Sequence, residues 1–252
     1  FIKNAYYSIM PKICILGTCR IKKHPTVFGN HLHTTKEIIQ LIELMEKGGM
    51  PYEPWMNFLN NEVTSQLEMD KMFTEARKLL NDSSIIFVEI SSMKVMRYRD
   101  YWLQVYAFSR KFRKRARAVL GVETAKRIWN DMRKEVFLHT MTRGELEKDL
   151  TKLHSMLIKY CPKIVYIPIP NVELKNGKIK NREIIHSTLN IFCITEINAF
   201  FLDTLAGLVE KDPSKIFKNV SGEIDSTHFD ETIILPEIFK MMETCSNNLL
   251  KK

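Results

Sequence analysis

The sequence predicts an α/β fold: three α/β/α layers on a mostly parallel sheet, with a helical, basic insertion. Three observations carry this expectation. The apolar runs "ICIL", "IIFVEI" and "IVYIPI" are continuous rather than alternating, as in strands buried on both faces. Segments of ten or more residues with helical apolar spacing separate them, which is the pattern of βαβ units. A chain of 252 residues, 45% of them hydrophobic, also suffices for one sizeable core. One domain over 1–252 is therefore expected, with the helical basic segment at about 95–140.

In chain order, a first strand is expected at roughly 12–17, breaking on Gly17-Thr18-Cys19-Arg20. The segment "HTTKEIIQLIELMEKGG" predicts a helix, because Ile38, Leu41, Ile42 and Met45 repeat at helical spacing. Thr34 and Glu37 fit a capping box, and Gly48-Gly49 stops the helix. "PYEPWMNFLN" carries two prolines and reads as loop or short turn, followed by a helix at about 65–80. "SSIIFVEISS" is the second strand. Residues 95–139 read as one or two helices, and Thr142-Arg143-Gly144-Glu145 caps another that ends near Tyr160. The third strand is "KIVYIPIP", 163–170. Asn176-Gly177 then marks a small hairpin or an exposed loop. Residues 193–210 read as a helix, "DPSK" as a turn into a short helix, and "ETIILPEIFKMMETC" as the last helix.

The longest apolar runs, Ile164 to Ile169 and Ile191 to Ile194, fall far short of the roughly 20 residues of a membrane helix, so no membrane span is expected. No internal repeat or low-complexity tract is present. Five cysteines without CxxC pairing argue against a disulfide scaffold and for a reducing compartment, so the expected location is cytoplasmic. Cys14 is expected in the core. The chain opens on Phe1 rather than Met, as an excised or truncated product would. A net charge of +9 invites an anionic partner: nucleic acid, a phosphorylated cofactor or a membrane surface.

In an open α/β sheet the ligand crevice lies beyond the carboxyl ends of the strands. Thr18-Cys19-Arg20, Ser91-Ser92 and Pro170-Asn171 follow the three expected strands and should converge there. Asp225 and His228 in "DSTHFDE" supply a carboxylate that can orient an imidazole toward the end of the first strand. Nucleophile, base and orienter would then be complete.

A strand ending Gly17-Thr18-Cys19 near the N-terminus, with Asp225-Ser226-Thr227-His228 before the last helix, resembles the SGNH/GDSL hydrolase superfamily over about residues 10–245. The resemblance implies a three-layer domain with a flavodoxin-like sheet. Cys19 stands where that family carries its serine nucleophile. Relatives with Gly-Ser-Cys or Gly-Asn-Cys in this block are linked to polysaccharide modification and acyl transfer. The resemblance therefore implies an acyltransferase or esterase acting on a sugar or polysaccharide ester, with Cys19, His228 and Asp225 as catalytic residues. Thr18, Arg20, Ser91, Ser92 and Asn171 would form the oxyanion or substrate-binding shell. The family's Gly-x-Asn-Asp block is replaced by Glu89-Ile90-Ser91-Ser92, which lacks the asparagine donor, and no glycine matches its second block.

Other residues read two ways. Arg20 suits a substrate carboxylate or phosphate, or a structural ion pair with Glu89. His31 and His33, with His24, have the spacing of metal ligands but lack a third placed ligand, so pocket lining or helix capping is expected and no metal. "RKFRKRAR", 110–117, holds six basic residues, and Phe108, Phe112, Arg115 and Val119 share one helical face. This run could hold nucleic acid, or the diphosphate of coenzyme A or a nucleotide sugar. The expected partners are an acyl donor, such as coenzyme A, and a carbohydrate acceptor, with no cofactor required and nucleic acid not the main ligand. The alternative expectation is a non-catalytic binding module of the same fold.

Overall fold

Strand β1, Ile13–Leu16, lies between β2, Val27–Phe28, and β3, Ile85–Ile90. Beyond β3 come β7, Ile164–Pro168, and β8, Ala199–Phe201, in a five-stranded sheet whose pairings are all parallel. Counted in chain order, the strands of this sheet run 2-1-3-4-5, the flavodoxin-like order. The computed structural model describes residues 12–17, 27–28, 32–58, 63–103, 110–171, 180–204, 206, 217–220, 223–229 and 234–251. At 27–28, 58, 110–112, 217–220 and 223–229 it describes the backbone alone.

The continuous apolar runs are explained by the two faces they serve. Cys14, Leu16, Ile86, Val88, Ile164 and Tyr166 point to one side, while Ile15, Ile85, Phe87, Val165 and Ile167 point to the other. On the first face pack α1, Thr35–Glu46; α2, Gln66–Asp82; α5, Arg143–Leu157; and α6, Lys180–Thr195. On the second packs α7, Ile234–Leu250, through Ile234, Leu235, Ile238, Met242 and Leu249. The result is the expected α/β/α arrangement.

The expected capping boxes of α1 and α5 both form. Thr34 and Thr142 each accept from the backbone N–H of the glutamate three residues on, which reaches back to the cap. Gly48 and Gly49 end α1 at φ +91° and +104°, conformations that L side chains rarely adopt.

Three expectations are corrected. First, residues 95–139 are not helical throughout. Strands β4, Lys94–Tyr98; β5, Tyr101–Leu103; and β6, Phe137–Thr140 form an antiparallel sheet of order β5-β4-β6. It flanks two helices, α3, Arg110–Leu120, and α4, Val122–Glu135. The β4–β5 turn uses Arg99 at φ 53°, without the Asn or Gly that would have announced it. Second, Val119 is not on the inner face of α3: it is 46% exposed and Ala116 is buried, while Arg115 does turn inward, donating through Nη2 to the Asn57 carbonyl at 3.0 Å. Phe108 and the Phe112 side chain lie outside the description. Third, the helix stands at Lys180–Thr195 rather than at the expected 193–210. Asn198 then turns the chain at φ 66° into the edge strand β8. The "PYEPWMNFLN" turn contains a 3-10 helix, Pro54–Phe58. After "DPSK" the chain forms an antiparallel hairpin of β9, Phe217–Val220, and β10, Glu223–Phe229. Asn176-Gly177 lies outside the described residues.

Candidate functional site

The order of the parallel sheet fixes where a crevice opens. The chain moves from β1 outward to β2 and then returns to β3 on the other side, so the connections leave β1 and β3 in opposite directions at their carboxyl ends. Gly17, buried, follows β1, and Ser91-Ser92 follow β3.

His33, the residue before the α1 cap, meets the end of β3. The backbone N–H groups of Ser91 and Ser92 both donate to the His33 carbonyl at 3.0 Å. The imidazole Nδ1 lies 3.0 Å from Ser91 Oγ. Glu37 pins the same turn from below: its Oε2 accepts from the N–H groups of His33 and Thr34, at 2.9 and 2.8 Å, and from the Thr34 hydroxyl at 2.9 Å. Its Oε1 is buried with no hydrogen-bond partner. Burial outweighs those donors and raises the Glu37 carboxyl from 4.5 to about 7. Ser92 turns away into the start of β4, its Oγ accepting from the Lys94 N–H at 2.9 Å. Of the groups that could donate to an oxyanion here, the two backbone amides are engaged, the Ser92 hydroxyl donates to the Lys94 carbonyl at 3.3 Å, and the Ser91 hydroxyl lies between the imidazole and the His33 carbonyl, to which it donates at 3.4 Å.

Further along the same edge, Asn171 is buried just beyond β7, and the buried Arg182 donates from Nη1 to the Pro170 carbonyl at 3.3 Å. At the end of β8, Asp203 Oδ2 lies 3.1 Å from His186 Nε2, and the His186 ring packs edge-on against Phe201 at 5.2 Å. Glu89, buried in β3 and level with Ile167, lies on the α7 face of the sheet.

Thr18, Cys19 and Arg20 lie outside the described residues. Asp225 and His228 are on β10, where Asp225 pairs with Lys218 and the ladder is irregular between Asp225 and Phe229. Their side chains are likewise outside the description. The four described cysteines, Cys14, Cys161, Cys193 and Cys245, are free, and burial pushes all four thiols up, Cys14 and Cys193 to about 12. His24 and His31 are outside the described residues, and among those described no group of three His, Cys, Asp or Glu is placed to hold a metal.

Sequence reasoning reached His33 only as a pocket or capping residue, though its place directly before a capping box is a local signal. The His186–Asp203 pair had no such signal, because 17 residues and a strand separate its members.

Comparison with protein-family models, with curated proteins and with solved structures found no match. What the fold and crevice define is a flavodoxin-like α/β domain with histidine, serine and carboxylate groups gathered at the carboxyl ends of its strands. Among the described residues, no helix is long and apolar enough to cross a membrane.

Proposed function

We propose that the chain is an SGNH-like acyl-transfer enzyme acting on a sugar or polysaccharide ester, with Cys19 as nucleophile, His228 as base and Asp225 as its orienter. The observation that carries this reading is the exit of β1 through Gly17 beside the Ser91–His33 contact at the switch point. Two residues past Gly17, Cys19 is tethered within about 7 Å of it by covalent geometry alone. The raised thiols of the other four cysteines also favour Cys19, since only a thiolate is a strong nucleophile.

In this mechanism His228 takes the Cys19 proton and the thiolate attacks the acyl carbonyl. The tetrahedral oxyanion then collapses to a thioester, and His228 returns the proton to the leaving group. The acceptor hydroxyl, deprotonated by His228, attacks the thioester and frees Cys19. The Cys19 N–H and the Ser91 hydroxyl are the oxyanion donors, with Thr18, Arg20 and Asn171 lining the acyl and acceptor sites. Coenzyme A or another acyl donor supplies the group, and water in place of the sugar makes the enzyme an esterase.

Incubation with acetyl-coenzyme A and with an activated aryl acetate, followed by intact-mass and peptide mapping, tests the proposal. An acetyl group on Cys19, absent in Cys19→Ala, with turnover lowered about 10³-fold or more, is expected. Equal turnover by Cys19→Ala and wild type overturns the covalent route. The binding-module reading is favoured by one observation: the Ser91 and Ser92 amides are spent on the His33 carbonyl where the family places its asparagine donor. Acyl ligands that raise the melting temperature without any adduct or turnover are its signature.

A further inference from the structure

The surface made by α3, α4 and β6 lies outside the crevice and carries most of the molecule's charge. Residues 110–135 hold ten Lys or Arg against three acidic residues, a net +7 of the chain's +9. Arg99 takes up Glu135, and Lys134 takes up Asp131. Lys114, Arg117, Lys126, Arg127 and Arg133 are exposed and have no acidic partner among the described residues. Fixed on two helices that pack together, these five like charges repel one another, and an anionic partner offsets that repulsion.

The charges surround an aromatic ring. Lys126, Trp129 and Arg133 are spaced three and four residues apart, so they share one face of α4 with the indole between the two cations. Arg113 of α3 lies 4.8 Å from the centre of the Trp129 ring, its Nε buried without a hydrogen-bond partner. Trp129, Arg133, Val136 and Leu138 line a cleft of about 440 Å³ between α4 and β6.

We propose that this face binds single-stranded nucleic acid, with the five exposed cations contacting successive phosphates and a base entering the cleft that Trp129 lines. Cations tracking a backbone beside an aromatic platform are the elements of such recognition. An anionic membrane is the weaker fit, because the exposed apolar side chains do not form one face. Phe137 and Leu138, 61% and 63% exposed, are successive residues of a strand and point to opposite sides. Val119 and Val122 stand at the other end of α4, roughly 20 Å away at 1.5 Å per residue. The proposal is independent of the acyl-transfer reading.

Fluorescence anisotropy of labelled 20-mer oligo-dT and oligo-U with the full chain, at 50 and 200 mM KCl, tests it. Five phosphate contacts predict a slope of log affinity against log salt of about −3.5, a roughly hundredfold loss across that range. Lys126→Ala with Arg133→Ala, both exposed, should leave the melting temperature unchanged and make the slope shallower by about 1.4. Trp129→Leu should weaken binding about tenfold at an unchanged slope. Should that variant unfold, the double charge variant decides alone. No binding at 50 mM KCl, a flat slope, or wild-type binding by the charge variant overturns the proposal. So does a duplex bound more tightly than the single strand, or capture by phosphatidylserine vesicles without oligonucleotide binding.

Discussion

Glu37 is buried inside its own capping box, and its carboxyl holds a proton up to about 7 against 4.5 in an exposed chain. A folded-state value raised above the unfolded one means the folded protein binds the proton more tightly. That stabilisation is fully present below about 4.5 and lost as pH rises through about 7. Glu37→Gln, which cannot ionise, should therefore gain on wild type between pH 5 and pH 8, by roughly 2–3 kcal/mol. Chemical denaturation at both pH values reads this, and an unchanged difference between the two proteins refutes it. Because Glu37 fixes the His33 backbone, and His33 fixes Ser91 and Ser92, the same titration bears on the crevice. Cys14 behaves in the opposite sense to a reactive residue: buried and pushed up to about 12, it is a small hydrophobe, as its place in an apolar run implied.

At the scale of elements, local chemistry and packing separate cleanly. The α5 cap is local: Thr142 Oγ1 accepts from the Glu145 N–H, and the Thr142 N–H, with His139, holds the Glu145 carboxyl down to about 2. Glu145's contribution is thus present above its ordinary 4.5 and lost as pH falls through about 2. Thr142→Ala should cost about 1 kcal/mol, measured by denaturant unfolding at neutral pH, and no loss would mean the box adds nothing to α5. Helix α7 depends on packing instead: Ile238, 1% exposed, seats it on the second face of the sheet. Ile238→Ala should cost about 2–5 kcal/mol, against which an exposed control such as Leu67→Ala should change stability by about 0.5 kcal/mol or less. Both caps and all three central strands were legible, because each is written in a few adjacent residues. The β4–β5 hairpin was not, because its turn is Arg99-Asp100 and its aromatic residues sit equally well in a helix. Nor was β8, whose three residues become a strand only by pairing with β7.

Across the whole molecule, the sequence by itself determined the fold class, the parallel strands with their two buried faces, the capped helices and the excess of positive charge. Each follows from periodicity, capping or composition, which need only neighbours along the chain. Only the tertiary structure decided the order β2-β1-β3-β7-β8 and so the position of the crevice. It alone brought His33 to Ser91 across 58 residues and His186 to Asp203 across 17. It also brought Arg113 of α3 and Leu138 of β6 to Trp129, turning a charge run into a surface with a shape. The reason is physical: contacts distant in sequence are set by which apolar faces can be buried together, and that choice belongs to the whole chain rather than to any stretch of it.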